Sequence, residues 1–313
     1  MLTNQATSAP LTDPLPSWQA GQAKTAIMDF VQQAVTEGSE GYIPPGDRIA
    51  TFDNDGTLWC EQPLVQGVYV AAQVQARVDA NPELAKAPVV MAILNGDKAY
   101  FANPAAMGEL VQVLKAVSAN QSQATFDQSA AAFLATATHP QYGVKYTDVG
   151  YQPQLELLAY LRANGFQTWI CSGGGMDFIR LVAEEMYGIQ PQEVIGSSLK
   201  KEYRWQPGQT ELWRLPEIDL INDKEGKPVG IDRAIGQPPV FACGNVRSGG
   251  DIAMLTYSQS SPHPAFQLLI NHDDGDREFA YDELDNASLT AAQQNNWQVV
   301  SMQTDWKTIF TWQ

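Results

Sequence analysis

"IATFDNDGTLW", residues 49–59, runs from four strand-forming residues straight into two carboxylates, Asp53 and Asp55, followed at once by Gly56 and Thr57. The apolar run "RIATFD" after the chain-breaking "YIPPGD" predicts a short buried strand. Two carboxylates at the mouth of such a strand repel each other, and removal from water raises the penalty on each charge. The rest of the chain has to supply whatever offsets them.

Upstream, Ile27, Phe30, Val31 and Ala34 recur at helical spacing, which predicts a first helix. Residues 1 to about 20 hold prolines and no periodicity and are read as an extended tail. Downstream, residues 60–150 are rich in alanine and glutamine, with Val70, Val74 and Val78 on one stripe and "MGELVQVLKAV" repeating the period. That stretch reads as an all-helical insertion. After Gly150 helices alternate with short apolar strands: "LELLAYLRANG", "FQTWIC", "DFIRLVAEEMYG", "EVIGSSL", "PVFAC", "FQLLIN". Such alternation predicts a parallel sheet with crossover helices, and "WQPG" between 200 and 222 marks a hairpin. The expected organisation is therefore 1–59 (tail, first helix, first core strand), 60–150 (helical insertion) and 151–313 (remainder of an α/β core).

The 313 residues, 44% of them apolar, are enough for a large interior, and the net charge of −16 disfavours nucleic acid and anionic membranes as partners. No stretch is long and apolar enough for a membrane helix. Cys60, Cys171 and Cys243 are three and scattered, which predicts small buried thiols rather than a disulfide framework. The polar, Pro-rich start fits a periplasmic mature form as well as a cytoplasmic protein.

Ligands of parallel sheets bind beyond the carboxyl ends of the strands. Four such ends carry chemistry here: Asp53 to Thr57, then Ser172-Gly173-Gly174-Gly175, then Lys224 and Lys227 before "PVGIDRAIG", and finally "GNVRSGGD" from Gly244 to Asp251. This ordered set resembles the haloacid dehalogenase-like superfamily, and in particular its phosphoserine phosphatase-like branch with a helical cap. The first motif, Asp-x-Asp-Gly-Thr, is matched in full. The resemblance covers roughly 25–59 and 151–275, and it implies a Rossmann-like three-layer core with residues 60–150 as the inserted cap.

The same resemblance implies a Mg²⁺-dependent phosphatase acting on a small phosphorylated metabolite. Asp53 would be metal ligand and nucleophile, and Asp55 general acid and base, with its carbonyl on the metal. Ser172, Gly173 and Gly174 would hold the phosphoryl group, with the backbone N–H groups of Gly173 to Gly175 as an anion cradle. A lysine would neutralise the transition state: Lys227, which precedes a proline at a helix start, is preferred to Lys224. The fourth motif departs from the pattern, since Asn245 replaces an acid and Asp251 comes late, so both are candidates to complete the metal shell. Glu61 lies where relatives place a carboxylate that meets a substrate cation, Trp59 would add an aromatic wall to the substrate site, and Arg247 is a candidate phosphate contact. "NHDDGDRE", 271–278, is read as a polar loop near the site entrance. A dehalogenase is disfavoured by the acid at position 55, and a phosphonatase by its need for a cap lysine, although Lys86, Lys98 and Lys115 are present. A phosphomutase, or a non-catalytic binding module on this fold, are the alternatives.

Overall fold

The computed structural model describes residues 13–101, 103–247 and 249–313. Helix α1 (Gln22–Val35) buries Ile27, Val31 and Ala34 of the stripe the periodicity predicts, with Phe30 partly buried against the same core and Ala23 joining it. It leads through the Pro-Pro-Gly break into β1 (Ile49–Phe52), all four residues of which are buried. The chain then forms α2 (Val65–Ala80), α3 (Pro88–Asn95), α4 (Lys98–Phe101), α5 (Pro104–Ser118), the two-residue β2 (Gln121–Ser122) and α6 (Gln123–Thr136). After these come α7 (Gln152–Ala163), β3 (Gln167–Gly175), α8 (Met176–Tyr187), β4 (Val194–Gln206), β5 (Gln209–Leu220), α9 (Gly226–Ile235) and β6 (Phe241–Asn245). The last elements are α10 (Ile252–Ser258), β7 (Phe266–Asn271), α11 (Ala287–Asn295), β8 (Gln298–Ser301) and α12 (Met302–Asp305).

The sheet has eight strands in the order β2-β5-β4-β3-β1-β6-β7-β8. β1 lies between β3 and β6 and is parallel to both, with Thr51 level with Trp169 on one side and Ala242 on the other. The chain thus leaves β1 to build one half of the sheet and returns to build the other, which makes the end of β1 the topological switch point where ligands collect. Alternation along the strands feeds two cores. Phe241, Cys243, Leu268 and Ile270 pack with α1, α7 and α8, whereas Ala242, Leu269 and Cys171 pack with Ile231, Met254, Leu255 and Ala292 of α9, α10 and α11. The result is the three-layer α/β architecture expected from the sequence. All three cysteines are buried free thiols.

The segment between β1 and α7 is helical except for β2, which pairs with β5. It shares the first core through Tyr69, whose ring meets Phe126 and Phe133 of α6 and Phe178 of α8 at 5.3–6.0 Å. Three features differ from expectation. Residues 1–12 of the expected tail lie outside the described residues, and the following stretch is pinned rather than loose: Leu15 and Trp18 are fully buried, and the Trp18 indole donates to the Pro153 carbonyl at 2.9 Å. Packing of single aromatics leaves no period to read. The strand "EVIGSSL" and the first arm of the hairpin are one strand, β4. Strand β8 was not anticipated, because it offers only Val299 and Val300 soon after the positive-φ turn at Asn296.

Candidate active site

Every candidate strand end reaches the switch point. Beyond β1, the Asp53 N–H donates to the Cys243 carbonyl at 2.9 Å, which keeps the residue in line with β6. The Asn54 carbonyl then accepts from the N–H groups of Thr57, Leu58 and Trp59, closing a tight turn. Gly56 sits in that turn at φ +76°, and a Cβ there would fall 2.1 Å from Asn245 Nδ2, so only glycine allows the close approach. The Trp59 indole donates to Asp55 Oδ1 at 2.8 Å. Trp59 is fully buried and therefore orients Asp55 rather than lining a substrate wall. The Thr57 hydroxyl is buried with no hydrogen-bond partner among the described residues.

Lys227, near the start of α9, is buried and places its ammonium 2.8 Å from Asp53 Oδ1 and in contact with Asp251 Oδ1. The other Asp251 oxygen accepts the Asn245 N–H at 3.0 Å. Lys224, by contrast, is exposed at positive φ. Burial and the Asp251 and Asp55 carboxylates push the Asp53 carboxyl upward against the pull of Lys227. Burial likewise raises Asp55, opposed by the Trp59 indole and by Arg247 and Lys227. Burial pulls the Lys227 ammonium down, but Asp251 and Asp53 outweigh it and raise its pKa, so it stays charged.

Ser172, fully buried in β3, accepts the Gly174 N–H at 3.0 Å, which leaves its hydroxyl proton free to donate. The Gly175 N–H is taken by Gln66 Oε1 at 2.8 Å. Two of the three glycine donors expected to cradle an anion are thus engaged within the protein. A Cβ on Gly174 would meet Gln66 Nε2 at 2.5 Å and Asp55 Oδ2 at 3.3 Å, so this glycine makes room for the acid. Asn222 donates to the Ser172 carbonyl at 2.9 Å and fixes the turn from the α9 side.

Asp53, the Asp55 carbonyl and the Asn245 side chain offer the oxygen donors that magnesium prefers. Three carboxylates (Asp53, Asp55 and Asp251) face the single Lys227, and that imbalance also suits a divalent cation. Asp251 has both oxygens committed, to Lys227 and to the Asn245 backbone. Among the described residues no three His, Cys, Asp or Glu side chains form a metal cluster.

Glu61 is 1% exposed, and its carboxylate is held by the Tyr281 hydroxyl at 2.5 Å and by the Arg247 guanidinium. Arg247 is therefore directed at Glu61, with 42% of its side chain exposed. Sequence reasoning missed Gln66, Asn222, Tyr281 and His272. His272 is buried, stacked on Tyr281 at 4.3 Å, with Nε2 2.8 Å from the Gly56 carbonyl and Nδ1 3.2 Å from Glu278. A signal for it existed, since it directly follows the apolar run of β7. The loop around it is also tied to the C-terminal segment: Arg277 donates to the carbonyls of Met302, Trp306 and Lys307.

A family model described as haloacid dehalogenase-like hydrolase matches residues 48–203, from β1 through most of β4. No curated protein matches the sequence closely enough to count as a relative. Among solved structures, a functionally unknown protein from Anaerococcus prevotii DSM 20548 is similar at a TM-score of 0.59 and 16% identity, covering 95% of this chain and 98% of the other. A protein of unknown function from Bordetella pertussis Tohama I is similar at 0.52 and 17% identity, covering 81% of this chain and 98% of the other. At these identities the likeness is one of fold.

Proposed function

The chain belongs to the haloacid dehalogenase-like hydrolases, and from that premise we propose that it is a Mg²⁺-dependent phosphatase of small phosphate monoesters working through an aspartyl-phosphate on Asp53. The observation that carries this reading is the contact of Lys227 with both Asp53 and Asp251, which holds one cation against the nucleophile at the switch point of the sheet.

In the first step Asp53 attacks phosphorus, the ester P–O bond breaks, and Asp55 gives its proton to the departing alkoxide. Its raised pKa favours the protonated form that this step needs. In the second step Asp55 takes a proton from water, the resulting hydroxide attacks phosphorus, and the Asp53–phosphorus bond breaks to release inorganic phosphate. Lys227 and the Ser172 hydroxyl stabilise the charge on the transferring group. Asp53, the Asp55 carbonyl and Asn245 would hold magnesium, which would supply further charge neutralisation. Residues 60–150 act as the cap, tied to the core where Gln66 accepts the Gly175 N–H, and closure over the site excludes bulk water and favours small substrates.

Release of inorganic phosphate from p-nitrophenyl phosphate and a panel of small esters tests this reading. Turnover with Mg²⁺, lost with EDTA and in Asp53→Asn, is expected; no turnover by the native protein with any divalent cation would favour a binding module instead.

A further inference from the structure

Asn245 stands at the end of β6 where the resemblance calls for an acid, and the structure shows what surrounds its amide. Nδ2 lies 3.3 Å from Glu61 Oε1 and 3.3 Å from the Tyr281 hydroxyl oxygen. Tyr281 gives its own proton to Glu61 Oε1. His272 Nε2, 3.5 Å away, is directed at the Gly56 carbonyl, an acceptor, and so carries a proton itself. A carboxylate accepts only, and the tyrosine oxygen has a lone pair left once its proton is on Glu61. The amide edge facing this group must therefore be NH₂, which turns the amide oxygen away from Glu61. Glu61 has no oxygen to spare, since Arg247 holds the other one.

We propose that Glu61 is a positioning residue of the cation site: with Tyr281 it locks the Asn245 amide so that its oxygen, not its nitrogen, is offered to the metal. Glu61, its own charge met by Arg247, thereby fixes which end of the amide at position 245 faces the metal, and it does not meet a cationic group of the substrate. This inference rests on the Mg²⁺ phosphatase reading above. It changes the job of one residue within it.

Isothermal titration of Mg²⁺ without substrate reads the effect directly. Glu61→Gln, which can face Asn245 with either end of its own amide, should weaken Mg²⁺ binding about tenfold or more, the usual range for outer-shell partners. Tyr281→Phe keeps Glu61 and should weaken it less. Asn245→Asp alone sets two carboxylates against each other and should not tighten binding, whereas Asn245→Asp combined with Glu61→Gln should recover most of the affinity lost in Glu61→Gln. The KM values of phosphocholine and p-nitrophenyl phosphate at saturating Mg²⁺ should move together in Glu61→Gln. Wild-type affinity for Mg²⁺ in a folded Glu61→Gln, with KM raised for phosphocholine alone, would overturn the inference and leave the phosphatase reading standing. A wild-type protein that binds no divalent cation would remove both.

Discussion

Around Asp177 one carboxylate faces two cations, whereas around Asp53 three carboxylates face one. Asp177, in the first turn of α8, is paired with Lys201 of β4 at 2.8 Å and with Arg214 of β5. Arg214 is itself buried, donates to the Ser118 carbonyl and to Gln123, and lies over the Phe126 ring at 3.9 Å. Each charge there has a protein partner, so the cluster fastens the helical segment to the sheet. The Asp53 cluster keeps more carboxylates than Lys227 can match, even with Arg247 opposing the upward shift of Asp55. Buried charge that is fully partnered is architecture, and buried charge left in excess is a request for a ligand.

The two clusters should respond oppositely to loss of their acid. Asp53→Asn should lower turnover about 10⁴-fold or more, as removal of a nucleophile does, measured as phosphate release under saturating substrate. The same change should raise the stability of the metal-free protein at neutral pH by about 1 kcal/mol, read by urea denaturation, because it relieves an ionised carboxylate that the fold disfavours. Asp177→Asn should instead cost about 3 kcal/mol, since it leaves Arg214 buried beside a neutral group.

The pH dependence separates them further. Burial raises the Asp177 carboxyl, but the hydrogen bond from Lys201 and the charges of Lys201 and Arg214 outweigh it and leave its pKa lowered. A lowered pKa gives stability that is present above the unfolded value near about 3.9 and is lost as pH falls through the folded value. The gap between wild type and Asp177→Asn should therefore hold at neutral pH and close in acid. Asp53 has the opposite sign, so the metal-free wild type should lose stability relative to Asp53→Asn as pH rises above the ordinary carboxylate range.

Smaller effects sharpen the contrast. Trp59→Phe removes the indole donor from Asp55 and should lower kcat by about tenfold, the worth of a hydrogen bond to a charged group, with little change in KM. Lys224→Ala should stay within about 0.5 kcal/mol in stability and leave turnover unchanged, because the side chain is exposed away from the carboxylates.

Much of this was legible in the sequence where chemistry and position coincide. The carboxylates beyond β1, the serine and glycines at the end of β3, Lys227 before its proline and Asn245 beyond β6 all follow apolar runs, and the parallel-sheet rule gathers them at one edge. Periodicity likewise gave α1 and the helices after β1. What escaped notice depends on contacts across long sequence separations. Gln66 is one polar residue among many in a glutamine-rich helix, and Tyr281 follows no strand, yet they reach Gly175 and Glu61 across 109 and 220 residues. Glu61 was visible but its partners Tyr281, Asn245 and Arg247 were not, because spacing fixes which residues are near a site and not which neighbour holds them. The glycine donors were misread for a related reason: a side chain from the helical segment occupies one of them.

The central claim is that the carboxylate at position 53 accepts the phosphoryl group. Borohydride reduction during turnover of Asp55→Asn, in which the second step is slowed, followed by peptide mass spectrometry, reads it most directly. The account predicts homoserine at position 53, formed from the reduced acyl phosphate and dependent on substrate and Mg²⁺. An unmodified Asp53 in a variant that still releases the alcohol, or a reduced residue elsewhere in the chain, would contradict it.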